Sequence, residues 1–283
     1  MKSIIQTGFG PPGEVLTVGE AEDPVVDDDG VLVRVRAASI HIGDVYGIRG
    51  YPKVMRPIFK SMRPKSGVVG TDLAGVVEAV GESVKNLGPG DEVFGSGKGA
   101  FAEYASTTED KLALKPDNLT VEQASAIGVS AFTALQALRD HGDLREGQKV
   151  LIVGASGGVG TFAVQIAKAF GAEVTGVCST RNLDMVRSIG ADHVIDYTQQ
   201  DFTESGSQYD LILDNVGTHS LKDTRRALTP TGLLLPNGGP APTGWFGGLG
   251  NLAKATITSM FVKQQGRGFL SMENKEDLAT LRA

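Results

Sequence analysis

Residues 149–178, KVLIVGASGGVGTFAVQIAKAFGAEVTGVC, constrain the fold more than any other stretch of this 283-residue chain. Val150 to Val153 is an unbroken apolar run, as expected of a strand buried on both faces of a parallel sheet. A glycine-rich turn follows. Thr161 to Phe170 then carries Phe162, Val164, Ile166, Ala167 and Phe170, apolar enough to lie as a helix against that sheet. Gly171 stands where a helix-ending glycine belongs, and Val174 to Cys178 reads as a second short strand. The pattern predicts one strand-turn-helix-strand unit.

The turn carries the chemistry. Ala155, Gly157 and Gly160 occupy the three positions of a G-x-G-x-x-G fingerprint, with Ser156, Gly158 and Val159 between them and Gly154 in front. Bare backbone there lets amide N–H groups and a helix N-terminus approach a pyrophosphate, while Gly160 permits close helix–strand packing. The bland alternative is a tight turn with no ligand.

The formal charge of −6 gives no electrostatic footprint for nucleic acid. Cys178, the single cysteine, excludes an intramolecular disulfide and fits a reducing compartment. MKSIIQTGFG lacks the apolar core and cleavage site of a secretory signal, and no run of about 18 apolar residues predicts a membrane span. The expectation is a cytoplasmic protein.

The first third reads as β-rich. Ile4 to Thr7, Val15 to Val18 and Val31 to Ala37 are strand-like, with turns at Asp23-Pro24 and Asp27 to Gly30. A short segment with His41, Asp44 and Tyr46 follows. Met55, Ile58, Phe59 and Met62 keep helical spacing, which predicts a helix covering a cleft or a solvated basic helix. Residues 67–81 read as a glycine-punctuated strand pair, and the closely spaced strands and turns suggest a small barrel-like domain. Thr120 is a plausible N-cap for one long helix running on from Val121. After Cys178 the alternation continues: a helix at 182–189, strands at 193–196, 209–216 and 232–236, and a helix at 219–228. It predicts a doubly wound parallel sheet. Leu249 to Phe261 repeats apolar residues at helical spacing, and Gly268 to Met272 reads as the last strand.

GTDLAGVVEAVG (70–81), PGDEVFG (89–95), GAFAEYA (99–105), SAFTALQAL (130–138), VGASGGVG (153–160), GADHVIDY (190–197) and DNVG (214–217) follow one another in an order that resembles the medium-chain dehydrogenase/reductase superfamily. The resemblance is to its zinc-independent, quinone-oxidoreductase-like branch. It implies an α/β protein with an N-terminal GroES-like β-rich domain and a Rossmann domain, an active site in the cleft between them, and often a homodimer. The expected division is a substrate domain at 1–122, an NADP-binding domain at 123–272, and the start of a return to the substrate domain at 273–283. Relatives continue beyond that point, so the resemblance also implies a C-terminally truncated form.

Zinc members hold a catalytic metal with Cys, His and a second Cys or acid. Here ASIHIGD has no cysteine, Thr71-Asp72 replaces the usual His-Glu pair, and the four histidines are scattered, so no metal is expected. Without a Lewis acid, reduction of an activated acceptor is the chemistry within reach: a quinone, or an alkene conjugated to a carbonyl. The resemblance puts Tyr46 near the nicotinamide and His41 where relatives often have Asn; either could hydrogen-bond a carbonyl or relay a proton. It places Thr133, Asn215, Asn237, Gly238 and Gly239 around the nicotinamide half of the cofactor, and Tyr197 on its adenosine side. NAD enzymes usually carry Asp or Glu at the end of the second strand, but here the chain reads CSTRN, so Ser179 and Arg181 point to a 2′-phosphate and to NADPH. A non-catalytic NADPH-binding protein, structural or redox-sensing, is the alternative from a different class.

Overall fold

A computed structural model of the chain describes residues 1–62, 64–238 and 264–282. Two compact units emerge, one of Met1–Phe132 with Met272–Ala283, the other of Thr133–Ser271. The division falls at Phe132 rather than at the expected 122. Gly239 and the apolar stripe at 249–261 lie outside the described residues.

The first unit is built on strands β1 (Lys2–Gln6), β2 (Leu16–Glu20), β3 (Gly30–Ala38), β4 (Asp72–Val80), β5 (Glu92–Ser96), β6 (Tyr104–Thr108) and β7 (Leu112–Leu114). β1 and β2 pair with each other, while the other five form an antiparallel sheet in the order β6-β3-β4-β5-β7. Alternate residues of these strands, Val31, Val33, Leu73, Val77, Val93 and Ala105, turn inward to make the core. Helices α1 (Pro12–Val15), α2 (Ile42–Arg49), α3 (Arg56–Met62) and α4 (Val121–Ser125) decorate it, and α5 (Gly128–Gln136) leaves it.

Several expectations are corrected here. Residues 67–81 hold one strand, β4, rather than a pair; before it Val68 only bridges to Ile5. Gly67 and Gly70 have φ of +78° and +99°, and a Cβ on Gly70 would lie 2.4 Å from the Phe101 ring, so these glycines turn the chain. Val15 ends α1 rather than opening a strand. The Thr120 cap forms as predicted: its Oγ1 accepts from Gln123 N at 3.2 Å and Gln123 Oε1 accepts from Thr120 N at 2.9 Å. The helix it starts is not continuous, however; it breaks at Ala126–Ile127 before α5 begins.

The second unit holds β8 (Lys149–Val153), α6 (Gly158–Ala169), β9 (Glu173–Cys178), α7 (Leu183–Ser188), β10 (His193–Asp196), β11 (Tyr209–Asp214), α8 (Leu221–Arg226), β12 (Leu228–Pro236) and β13 (Gln265–Gly266). All of its pairings are parallel, in the order β10-β9-β8-β11-β12-β13. Numbered within the unit, that is 3-2-1-4-5-6, the doubly wound order. Val150, Leu151, Ile152, Ile212 and Leu213 are fully buried, as strands covered on both faces require. The last strand is Gln265–Gly266, not Gly268–Met272. Beyond Arg267 the chain leaves the sheet edge: Phe269 stacks on His141 at 5.0 Å and Ser271 Oγ meets Thr133 Oγ1 at 2.9 Å. From Met272 the chain rejoins the first unit and ends in α9 (Lys275–Arg282), capped by Asn274 Oδ1 on Asp277 N at 2.8 Å and packed on β7.

Candidate functional site

In the parallel-sheet unit, strand order reverses between β8 and β11, and the two loops leaving those strands flank the crevice where such sheets bind ligands. The glycine turn is one of them. Gly154 has φ +75°, and Gly154 N and Ala155 N both donate to Val177 O, at 3.1 and 3.0 Å. Ala155 is fully buried in the core, which explains an alanine at the first fingerprint position: its side chain packs, close to Gly176. A Cβ on Gly160 would fall 2.1 Å from Gly154 O, so α6 approaches β8 only because that residue is glycine. Gly157 differs. Its added Cβ would meet nothing nearer than Gly154 O at 3.4 Å, so the space above it is needed by no part of the described protein. Gly157 caps α6 without a side-chain hydrogen bond, and Gly157 and Gly158 are exposed. The first-turn amides of Gly158, Val159 and Gly160 thus face an opening with the positive end of the helix dipole behind them. This cradle fits a dinucleotide pyrophosphate.

The second loop completes that edge of the sheet. Asn215 Nδ2 donates to Val153 O at 3.1 Å, and its Oδ1 accepts from Asn237 Nδ2 at 2.7 Å. A Cβ on Gly238 would lie 2.0 Å from Asn215 O, so glycine is obligatory there. Asp214, which the sequence reading passed over, organises the loop: its Oδ1 accepts from Val216 N and Gly217 N at 3.0 and 2.8 Å. The signal available was a lone carboxylate ending the buried run YDLIL. Asn215, Asn237 and Gly238 are brought together, and Thr133 lies in the same unit.

At the end of β9, Ser179 does not stand free. Asn182 Nδ2 donates to Ser156 Oγ at 3.0 Å and to Ser179 Oγ at 3.3 Å, tying the glycine turn to the segment that carries Arg181. Asn182 was not singled out from the sequence, where an Asn beside a helix start reads simply as a cap. Arg181 is exposed and enters no ion pair among the described residues, and Tyr197 is 61% exposed. A carboxylate does stand beside this strand end: Asp196 pairs in register with Cys178. Its Oδ2 takes the Thr180 hydroxyl at 2.6 Å, and that bond leads the causes holding Asp196 below the usual carboxylate range.

The other cluster belongs to the β-rich unit. His41 is the N-cap of α2, a role the sequence did not announce. Its Nδ1 accepts from Gly43 N at 3.0 Å, and Asp44 Oδ2 accepts from His41 N at 3.1 Å, closing a capping box. A Cβ on Gly43 would lie 2.7 Å from the imidazole, so glycine makes room for the ring. Because Nδ1 accepts, the neutral ring carries its proton on Nε2. That atom is buried without a hydrogen-bond partner, 3.5 Å from Asp44 Oδ2. Burial favours the neutral form of both groups, lowering the His41 pKa against the pull of Asp44 and Glu273, and raising that of Asp44. Thr71 Oγ1 donates to Asp44 Oδ1 at 3.3 Å, Ser39 Oγ to Asp72 Oδ2 at 3.5 Å, and Ser96 Oγ to Glu273 Oε2. Tyr46 is half-buried two residues beyond Asp44, which on a helix turns its side chain about 200° away from that carboxyl. So the fold joins His41 to Asp44, not to Tyr46. Among the described residues no group of three His, Cys, Asp or Glu side chains could hold a metal ion.

Comparison with known proteins agrees with both halves. Residues 27–117 match the alcohol dehydrogenase GroES-like domain family, and residues 158–258 match the zinc-binding dehydrogenase family. The chain is 32% identical over 255 residues to the 2-methylene-furan-3-one reductase of Solanum lycopersicum, covering 84% of this chain and 64% of that protein. It is 32% identical over 251 residues to the quinone oxidoreductase of Sus scrofa, covering 86% and 74%. The structure of Escherichia coli quinone oxidoreductase complexed with NADPH superimposes with a TM-score of 0.78 at 26% identity, covering 99% of this chain and 85% of that one. Against several of its curated relatives the chain spans only about half to two thirds of their length. Two domain families in the expected order, with Thr71-Asp72 where zinc members carry His-Glu, make the chain a member of the medium-chain dehydrogenase/reductase superfamily, related to its quinone oxidoreductases and consistent with the zinc-independent branch.

Proposed function

We propose that this chain is a zinc-independent, NADPH-dependent oxidoreductase that passes a hydride to a quinone or to an alkene conjugated to a carbonyl. The observation carrying this reading is the cradle at the strand-order reversal, with exposed Gly157 and an α6 N-terminus free of any side-chain cap. Bound there, NADPH supplies the hydride. The first-turn amides of α6 hold the pyrophosphate, and Thr133, Asn215, Asn237 and Gly238 surround the nicotinamide end. Ser179 and Arg181 take the 2′-phosphate, and Tyr197 lies against the adenosine. Names of relatives favour the same acceptors, a furanone reductase and a quinone oxidoreductase. His41 and Tyr46 are the groups proposed to hydrogen-bond the acceptor's carbonyl oxygen or to pass it a proton. His41 Nε2–H is a buried donor without a hydrogen-bond partner, 3.5 Å from Asp44 Oδ2.

The test is steady-state oxidation of NADPH with a panel of quinones and enones, after dialysis against a chelator. Turnover that survives chelation supports the reading. NADPH binding without turnover on any acceptor would favour the structural or redox-sensing role instead, and activity restored only by zinc would overturn the metal-free mechanism.

The cofactor preference has its own check. Replacing the exposed Arg181 with Ala should weaken NADPH binding about tenfold and leave NADH nearly untouched, since a charge-assisted contact to a 2′-phosphate is worth about 1.5–3 kcal/mol at most. Equal dissociation constants for the two nucleotides in the parent protein would refute the assignment. A homodimer and a cytoplasmic location complete the proposal; light scattering and cell fractionation test them. Among the described residues no helix is long and apolar enough to cross a membrane.

A further inference from the structure

We propose that Asp72 is a positioning residue for the nicotinamide end of the cofactor: its buried carboxyl anchors the first turn of α5 and thereby sets Thr133, one turn farther along the same helix. The inference rests on the reading above that Thr133 contacts NADPH.

Asp72 opens β4 with no exposed surface, and both of its carboxyl oxygens lie 3.1 Å from Val129 N. The residues before α5, Ala126 and Ile127, have no side-chain acceptor, although a helix start needs partners for its first N–H groups. Asp72 supplies one from a distant strand. The fit is tight. A Cβ on Gly128 would fall 2.2 Å from Asp72 Cγ and Oδ1, so the helix reaches the carboxyl only because that residue is glycine. This also accounts for the break after α4: residues 126–127 redirect the chain so that a new helix starts on Asp72. Val129 and Thr133 are four residues apart and share one face of α5. Thr133 Oγ1 is held 2.9 Å from Ser271 Oγ, so its placement is exact enough to be disturbed by a shift of the helix. Burial first, and then the like charges of Asp44 and Glu273, push the Asp72 pKa up to about 8. A protonated carboxyl retains an acceptor oxygen, so the anchor holds in either state.

The test is a double-mutant cycle read as the NADPH dissociation constant by fluorescence titration, which needs no turnover. Asp72→Leu, similar in shape but without an acceptor, should weaken NADPH on the order of tenfold, the effect of losing one well-placed hydrogen bond. Asp72→Asn keeps an acceptor and should stay within about threefold of the parent. In a Thr133→Val background, Asp72→Leu should add nothing, and amide exchange at 129–133 should quicken in Asp72→Leu but not in Asp72→Asn. Equal effects of Asp72→Leu in both backgrounds would overturn the proposal, as would an unchanged constant in a folded Asp72→Leu. So would a silent Thr133→Val; reduction of quinones by the parent protein would then leave the reductase reading standing on its own. If Asp72→Leu does not fold, Asp72→Ser, whose short hydroxyl withdraws from Val129, takes its place in the cycle.

Discussion

Between pH 4 and pH 8 the parent protein should lose several kcal/mol of stability relative to Asp72→Asn. Burial first, and then the charges of Asp44 and Glu273, raise the Asp72 pKa to about 8, against the pull of the Val129 amide. In the unfolded chain the same carboxyl titrates near 4. The folded state therefore binds this proton more tightly than the unfolded state does. Its stability is greatest below the unfolded pKa, declines as pH rises through the interval, and levels off above the folded value. At about 1.4 kcal/mol per pKa unit the full difference is on the order of 5 kcal/mol. Asn has the same shape and no charge, so its curve should lack this slope. Chemical denaturation of both proteins at pH 5 and pH 8 measures it; parallel curves would show that Asp72 stays ionised throughout. Asp192, Asp196 and Asp201 are shifted downward, and their contribution is lost only below the usual carboxylate range. Comparing the two proteins cancels it.

The second large effect separates two glycines of one turn. Gly160→Ala should both destabilise the protein, by about 1–3 kcal/mol or more, and abolish NADPH binding. Its Cβ would sit 2.1 Å from Gly154 O and 2.8 Å from Ala155 Cα, both backbone atoms that cannot step aside without opening α6 from β8. Gly157→Ala should behave otherwise. Its Cβ clears the described protein, with only Gly154 O at 3.4 Å, and its φ of −84° suits any residue. The expected result is an unchanged thermal midpoint with NADPH bound at least tenfold more weakly, because the methyl occupies space kept for the pyrophosphate. Thermal melts and nucleotide titrations of the two variants decide it. If Gly157→Ala bound NADPH normally, the turn would be a packing device and no cradle.

What could be read from the chain alone was local. The apolar run 150–153, the glycines after it and the helical pattern beyond are dictated by backbone sterics and by periods of 2 and 3.6 residues, so the strand-turn-helix unit and the alternation after it were legible in order. The family motifs extended this to the whole chain. The same glycines misled where sterics alone do not distinguish a strand interior from a turn: Gly67 and Gly70 redirect the chain before β4, while Gly75 lies inside it against Arg34 O.

Tertiary structure decided the partners. Asp72 meets Val129 across 57 residues, Asn182 meets Ser156 across 26, and Ser96 meets Glu273 across 177. Each is a polar side chain with no local pattern to mark it, and its role depends on which segment the fold brings within 3 Å or so. Helix propensity ran straight through Ala126–Ile127, yet a buried carboxyl on β4 offered the next helix its start and split the run in two. His41 read as a lone histidine, and only the backbone of α2 made it a cap with one ring nitrogen engaged and the other left over. Periodicity is set by neighbours in the chain, whereas burial and hydrogen-bond satisfaction are set by neighbours in space; the dinucleotide fold was written in the first, and the residues that aim its site in the second.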